Sequence, residues 1–184
     1  MNPAAREFPL FTINGLKISA TPSAIIGSLV LWVILTIVAL VFTELSLIVS
    51  VVAGFLTMLL HWAFEIIHQM GHASAARKAG YPMLGVRLYL VLGASLYPAD
   101  ELDLPAQIHI QRALGGPKIS LMVLAIATAI LLLVWSAAGD FVRMLALFAL
   151  LDNLLVFTIG AVVPFPFPNL IENDGVTLMR WRGK

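Results

Sequence analysis

Four long stretches of apolar residues constrain this chain more than any other feature of its sequence. An α-helix rises about 1.5 Å per residue, so about 20 apolar residues are needed to cross a hydrocarbon layer about 30 Å thick. Stretches of that length run over residues 24–43, 45–64, 119–138 and 144–163. We therefore expect four membrane-spanning helices, the second of which continues as a helix to about Ala79.

The composition agrees with a membrane protein and excludes several other classes. Of the 184 residues, 60% are apolar and only 11% are charged, whereas about 25% are charged in soluble domains. The net charge of +1 gives no field that would attract a nucleic acid, and without cysteine there are no disulfides or thiolate metal sites. We interpret residues 1–184 as one membrane-embedded domain, all-α and polytopic, whose remaining metal ligands are histidine and carboxylate.

Lysine and arginine are distributed very unevenly between the two sides of the predicted membrane. If the N-terminus is cytoplasmic, ten basic residues fall on the cytoplasmic side and only Arg143 falls on the other. We therefore expect a multi-pass protein of the cell membrane with both termini and the loop over residues 77–118 in the cytoplasm. The first 22 residues lack the pattern of a cleaved signal peptide, so we expect the first span to be retained.

The loop between the second and third spans has structure of its own. Residues 86–92 are rich in leucine, β-branched and aromatic side chains and are followed by Gly93 and Pro98, which predicts one or two strands at the cytoplasmic membrane edge. Residues 105–114 predict a short helix, and we expect Gly115-Gly116-Pro117 to break it before the third span.

Two histidines on the second helix are the strongest sign of chemistry. His68 and His72 are one turn apart and lie about 40° from each other around the helix axis. Imidazoles at this spacing can bind one zinc ion, and ionisable groups at membrane depth are costly enough to suggest a function. The alternative is a chance pair that caps carbonyls at the end of the helix, and the pair alone does not decide between the two.

The surrounding sequence resembles a known family. Residues 64–80 hold His68-Gln69-Met70-Gly71-His72, then a run of small residues, an arginine and a glycine. This segment resembles the active-site helix of the site-2 protease family of intramembrane zinc metalloproteases, where H-E-x-x-H occupies the same place. Gly116-Pro117 resembles the family's G-P, and Pro164-Phe165-Pro166 followed by Asn173-Asp174-Gly175 resembles its proline-containing stretch before D-G.

The resemblance implies an activity, a cofactor and a partner. It implies one Zn²⁺ ion per chain, held by His68, His72 and Asp174, in an enzyme that cleaves transmembrane segments of membrane proteins. A third protein ligand also makes physical sense, because catalytic zinc sites have three protein ligands and a fourth position for water. Taken alone, Asp174-Gly175 is also a common turn dipeptide. The expected partners are the transmembrane helix of a substrate and the lipid bilayer, with no nucleic acid.

The chain departs from the family at the residue that matters most for catalysis. In the family a glutamate follows the first histidine and is the general base that takes a proton from the attacking water, whereas this chain has Gln69. An amide cannot accept that proton, and a general base is worth about 10²–10⁴-fold in rate. Gln69 marks either a disabled protease or a natural relative that binds without cutting. We expect that Gln69→Glu would produce a protease. The segment between Pro166 and Asp174 is also longer than usual in the family.

Other polar residues of the spans are weaker candidates. Glu65 lies about 60° from His68 around the helix, so we expect it to orient a ligand histidine or form a buried pair rather than replace the base. His61 lies on the same face of the helix as Glu65, and we expect it to bond Glu65. Asn153, near the middle of the fourth span, is a candidate donor to a substrate carbonyl.

Two interpretations of different class remain open. The first is an intramembrane zinc endopeptidase that is inactive or trapped because of Gln69. The second is a non-cleaving zinc-binding membrane protein that holds a client helix or another partner. A di-iron protein is a third and weaker alternative, since Glu65-x-x-His68 has the spacing of half a di-iron motif but the sequence contains no second Glu-x-x-His.

Overall fold

Most of the fold is helical, and the first hundred residues also contribute the strands of a small sheet. The structure is a computed structural model that describes residues 7–98, 104–164 and 172–184. Within these residues the elements are, in chain order, β1 (Phe8–Ile13), β2 (Leu16–Ala20), α1 (Pro22–Phe42), α2 (Leu47–Lys78), β3 (Gly85–Tyr89), β4 (Leu92–Leu96), α3 (Ala106–Ala113), α4 (Gly115–Val134), α5 (Asp140–Asp152), a π-helical segment (Asn153–Gly160) and α6 (Asp174–Trp181).

The prediction of four helices able to span a membrane is confirmed by length and composition. Four helical segments of the described chain qualify: Pro22–Phe42, Leu47–Lys78, Ala106–Val134 and Asp140–Gly160. Their surfaces expose many large apolar side chains, such as Ile26, Val41 and Leu133, as expected of helices that face lipid. Which side of the membrane each loop faces stays a prediction.

The third span starts earlier than the sequence suggested. We expected Gly115-Gly116-Pro117 to separate a short helix from the span, but these residues form the first turn of α4. Proline is tolerated in the first turn of a helix because the N–H that it lacks would have no partner there. The helical chain passes from α3 to α4 through Leu114, whose backbone is itself helical.

The fourth span is not a uniform α-helix. It changes from α5 to a wider π-helical segment directly after Asp152 and remains so as far as Gly160. Such segments are uncommon and frequently occur at functional sites. The chain ends this span near Pro164, and the next two residues of the expected proline motif, Phe165 and Pro166, lie outside the described residues.

The sheet has four strands in the order β1-β2-β3-β4, more than the one or two strands predicted. The β3–β4 hairpin lies where we expected one or two strands, whereas the β1–β2 hairpin was missed. Its signal was present in the sequence: Asn14-Gly15 forms the turn with positive φ angles of 49° and 81°, and Asn-Gly between apolar runs is a strong hairpin signal. Strands β2 and β3 then pair in parallel.

The sheet packs against the C-terminal half of α2. The buried cluster joins Leu16 and Ile18 of β2 and Val86 of β3 to Ala73 and Ala76 of α2. Small alanines let the sheet approach the helix closely. This packing places the β3–β4 hairpin beside the segment of α2 that carries His68 and His72.

Candidate metal centre

The two histidines of α2 face each other in the protein interior. His68 and His72 are 6% and 5% exposed, and their Nε2 atoms lie 3.0 Å apart. The four-residue spacing puts both rings on the face of α2 that packs against α4. Close approach of the helices is possible because Gly71 of α2 meets Gly115 of α4, where added Cβ atoms would collide with the opposite backbone.

The other nitrogen of each ring bonds to a neighbouring element. Nδ1 of His72 lies 2.8 Å from the carbonyl oxygen of Arg112, at the end of α3. A carbonyl can only accept, so this Nδ1 carries a proton, and Nε2 is the ring atom that faces the centre. Nδ1 of His68 lies 2.9 Å from the hydroxyl of Ser120 on α4. Such outer bonds fix the orientation of histidines that ligate metals.

Asp174, near the C-terminus of the chain, completes the cluster. Its Oδ2 atom lies 3.4 Å from Nε2 of His68 and 3.3 Å from Nε2 of His72. Burial raises the pKa of the Asp174 carboxyl, but the adjacent His72 and His68 rings outweigh burial and hold that pKa below its ordinary value. The carboxylate is therefore in its ionised form, which is the form that binds cations.

Asn173 and Gly175 hold Asp174 in place at the start of α6. The Asn173 side chain caps the helix by accepting from Val176 N, and its amide donates to the carbonyls of Gly160 and Val163 at 3.0 and 2.7 Å. Gly175 packs directly on the backbone of Val162, where a Cβ would not fit. These contacts tie α6 to the end of the fourth span and carry Asp174 across to α2.

The geometry of the three donors suits a zinc ion. His68, His72 and Asp174 form a metal-compatible group among the described residues. Donors about 2.0–2.1 Å from a tetrahedral zinc are about 3.3–3.4 Å apart, and the three separations here are 3.0, 3.3 and 3.4 Å. Gly116 leaves the space open, because a Cβ at that position would collide with Nε2 of both histidines. Two imidazoles and a carboxylate are also a usual donor set for catalytic zinc.

Gln69 points from α2 toward β4. Its Nε2 donates to Glu65 Oε1 at 2.9 Å and to the carbonyl of Gly93 at 3.1 Å, and its Oε1 accepts from the Ser95 hydroxyl at 2.8 Å. The amide is 5% exposed and has partners for both its oxygen and its nitrogen. Glu65, which we expected to orient a ligand histidine or form a buried pair, is hydrogen-bonded to Gln69.

His61 has a different partner from the one expected. Its Nδ1 lies 3.1 and 3.2 Å from the two carboxylate oxygens of Asp152, and its Nε2 lies 2.7 Å from the Val91 carbonyl. The expected bond to Glu65 is wrong, because Asp152 on α5 is the acceptor instead. A buried carboxylate in a span needs such a partner.

Asn153 lies in the interior next to Asp152. It is 1% exposed, and its Nδ2 donates to the Ala149 carbonyl of its own helix at 3.0 Å. A contact with substrate stays a prediction. Ser120 and the carbonyl of Arg112 were missed, since neither belongs to a motif. Asn173 and Gly116 were noted only as parts of a resemblance.

Comparison with solved structures supports the resemblance at the level of the fold. The Site-2 Protease from Methanocaldococcus jannaschii superposes with a TM-score of 0.59 over 95% of this chain and 70% of that chain, at 16% sequence identity. No model of a known protein family matches the sequence, and no curated protein matches it. An identity this low establishes a shared fold and no more. The chain therefore folds like a site-2 protease, with four helices able to span a membrane and a His-His-Asp cluster at its centre.

Proposed function

We propose that this chain is a site-2-protease-like intramembrane zinc metalloendopeptidase whose hydrolytic step is disabled or slowed by Gln69. One observation carries the proposal: His68, His72 and Asp174 meet with donor separations of 3.0–3.4 Å inside a fold shared with a site-2 protease. The three residues come from a span and from a helix that follows the last span. Local secondary structure alone would not bring them together.

Each residue of the centre has a chemical task in this proposal. When bound, a zinc ion supplies Lewis acidity, which activates water and polarises a peptide carbonyl. The Nδ1–H of His72, held by the Arg112 carbonyl, keeps the ring in the tautomer that binds, and Ser120 fixes the ring of His68. Gly116 keeps the space beside both rings free. What the centre lacks is a proton acceptor at position 69.

The proposed substrate is a transmembrane segment of another membrane protein. His68 and His72 lie in the C-terminal half of α2, the helix that we propose as the second membrane span. A helix satisfies its own backbone hydrogen bonds, so a substrate helix has to unwind before its carbonyl can be attacked. We expect the unwound segment to pair with the β3–β4 hairpin, because an extended peptide can add to the edge of a sheet.

The alternative function is a membrane protein that binds zinc and holds a client helix without cutting it. Gln69 favours this alternative, because its amide is satisfied by Glu65, Gly93 and Ser95 and offers no group that takes up a proton. Both functions need the same metal ligands. They differ only in whether an acceptor for the proton exists at the centre.

Cleavage of a membrane-spanning reporter helix in detergent tests the proposal. We compare the parent chain with Gln69→Glu and with the exchanged pair Glu65→Gln/Gln69→Glu, which avoids two carboxylates side by side. We expect the exchanged pair to cut about 10²-fold faster than the parent, with chelation or His68→Ala abolishing the gain. The single variant should gain less, because like charges next to each other disfavour ionisation.

Three results bear on the choice between the two functions. If both variants bind zinc and remain as inert as the parent, the non-cleaving function is supported. If neither the parent nor the variants bind zinc, both functions are excluded. If the parent already cuts at the full rate, our account of Gln69 is wrong and Glu65 becomes the first residue to mutate.

A further inference from the structure

The backbone directions within the sheet identify a free edge on β4. The amide of Thr21 donates to the Leu88 carbonyl, so the polar backbone groups of Leu88 point toward β2. Gly93 lies opposite Leu88 in the antiparallel β3–β4 pair. Backbone groups alternate in direction along a strand, so those of Gly93 point away from β3, and those of Ser95 do the same. With β4 last in the strand order, this edge has no partner strand within the described sheet.

Side chains of α2 occupy this edge. His61 Nε2 lies 2.7 Å from the carbonyl of Val91, and Gln69 Nε2 donates to the carbonyl of Gly93 at 3.1 Å. Glu65 packs against Gly93 so closely that a Cβ added there would collide with Oε1 of the carboxylate. Ser95 donates its hydroxyl to Gln69 Oε1. Between them, His61, Glu65 and Gln69 contact Val91, in the turn that precedes β4, and the edge residues Gly93 and Ser95.

The spacings of the helix and the strand match. His61, Glu65 and Gln69 follow each other at four-residue steps, which advance about 6.0 Å along a helix. Gly93 and Ser95 of β4 are two residues apart, which is an advance of about 6.8 Å along a strand, and Val91 lies two residues before Gly93 in the turn. Glu65 and Gln69 therefore fall beside the edge residues Gly93 and Ser95, and His61 falls beside the turn. We call His61, Glu65 and Gln69 the α2 polar stripe.

We infer that the α2 polar stripe takes the place of a fifth strand and closes the edge of β4, and that Gln69 is the residue that position 69 requires for this closure. The stripe offers donors to carbonyls that would otherwise be unpaired beside the membrane, where an unsatisfied carbonyl is costly. A peptide that adds to β4 must first displace these side chains. The stripe is thus a built-in closure of the edge, whether or not the chain cuts its client.

The chemistry around position 69 explains why the residue is an amide. The site presents two acceptors, the Glu65 carboxylate and the Gly93 carbonyl, and one donor, the Ser95 hydroxyl. Glutamine matches this set with its N–H₂ and its carbonyl. Ionised glutamate has only acceptors, so it would face Glu65 and Gly93 without a hydrogen atom to share. Gln69→Glu should therefore open the edge, even where it supplies a base to the metal centre.

Hydrogen–deuterium exchange of the full chain in detergent tests this closure without reference to activity. We compare the parent with Gln69→Glu and with Gln69→Met, which keeps the length of the side chain but removes its donor. Thr57→Val is the matched control, because Thr57 is buried on the same helix and bonds only backbone of that helix. Ser95→Ala is a milder variant that removes one bond of the closure and leaves α2 unchanged.

The expected result is local. Amides of β4 should exchange about tenfold faster in Gln69→Met and Gln69→Glu, and to a smaller extent in Ser95→Ala, while α4 exchanges as in the parent. In Thr57→Val, β4 should exchange at the parental rate. The inference is overturned if the amides of β4 in Gln69→Met exchange as slowly as in the parent. If the Gln69 variants do not fold, the same result in Ser95→Ala overturns it. Zinc content measured on the same samples reports separately on the proposed function.

Discussion

The Oδ2 atom of Asp174 lies 3.3 Å from the Nε2 atom of His72, although the two residues are on different helices that are far apart in the sequence. His72 belongs to the second span, and Asp174 begins a helix that follows the fourth. Two further helices long enough to span a membrane separate His72 from Asp174, and together they bring the chain back to the part of α2 that carries His72. It is also the contact that turns a pair of histidines into a set of three donors.

Removing the Ser120 hydroxyl should weaken metal binding. The Ser120 side chain bonds Nδ1 of His68 at 2.9 Å, and loss of such an outer partner costs about 10–100-fold in metal affinity. Competition between the Ser120→Ala protein and a zinc chelator measures the effect. Thr128→Val on the same helix is the control, since Thr128 bonds only the Leu124 carbonyl. Equal zinc affinity in Ser120→Ala and the parent would contradict the orientation of His68 that we describe.

A methyl group at position 116 should disable the centre. The Cβ in Gly116→Ala would collide with Nε2 of both His68 and His72, which are the atoms that face the metal. We expect zinc affinity to fall by about 100-fold or more, while the helical content is unchanged. Gly139→Ala tests the same substitution where nothing lies within 4 Å, and it should bind zinc as the parent does. Full zinc binding by Gly116→Ala would show that the donors meet elsewhere.

The His61–Asp152 pair should contribute to stability as a unit. Asp152→Leu leaves His61 buried beside one carbonyl and without its carboxylate, and loss of one partner of a buried pair costs about 3–5 kcal/mol in the free energy of unfolding. Replacing both residues, as in His61→Phe/Asp152→Leu, should cost less than the single change. Unfolding in detergent measures both variants. Asp140→Asn on the same helix is the control, because its ion pair with Arg143 is exposed.

If the double variant lost as much free energy of unfolding as the two single variants together, coupling between His61 and Asp152 would be contradicted.

Both termini and the metal centre should face the cytoplasm. The sequence has no cysteine, so single cysteines in Ser74→Cys, Lys184→Cys and Ser136→Cys report without background. An impermeant thiol reagent applied to intact cells should label only Ser136→Cys, which is exposed between α4 and α5. The other two should react only after the cells are opened. Labelling of Ser74→Cys or Lys184→Cys from outside would overturn the orientation inferred from the basic residues.

The spans and the histidine pair were predictable because each depends on local sequence. Runs of about 20 apolar residues define a span, and a four-residue spacing defines one helical face. The β3–β4 hairpin was predictable for the same reason. The β1–β2 hairpin was equally local, and attention to Asn14-Gly15 would have found it.

The partners of the site residues were not predictable, because they depend on how distant elements pack. Nothing near His61 in the sequence indicates Asp152, and nothing near Gln69 indicates the carbonyl of Gly93. The role of Asp174 came from a resemblance rather than from spacing. The structure adds the separations of 3.3 and 3.4 Å that make this residue a credible third donor.

The zinc content of the purified parent chain tests the central claim most directly. We expect about one zinc ion per chain despite Gln69, with nitrogen and oxygen donors at about 2.0–2.1 Å by X-ray absorption. His68→Ala and Asp174→Ala should each lose the metal, whereas Asp140→Asn should retain it. Less than about half an equivalent of zinc in the parent, unchanged in His68→Ala, would contradict the assignment of His68, His72 and Asp174 as a metal centre.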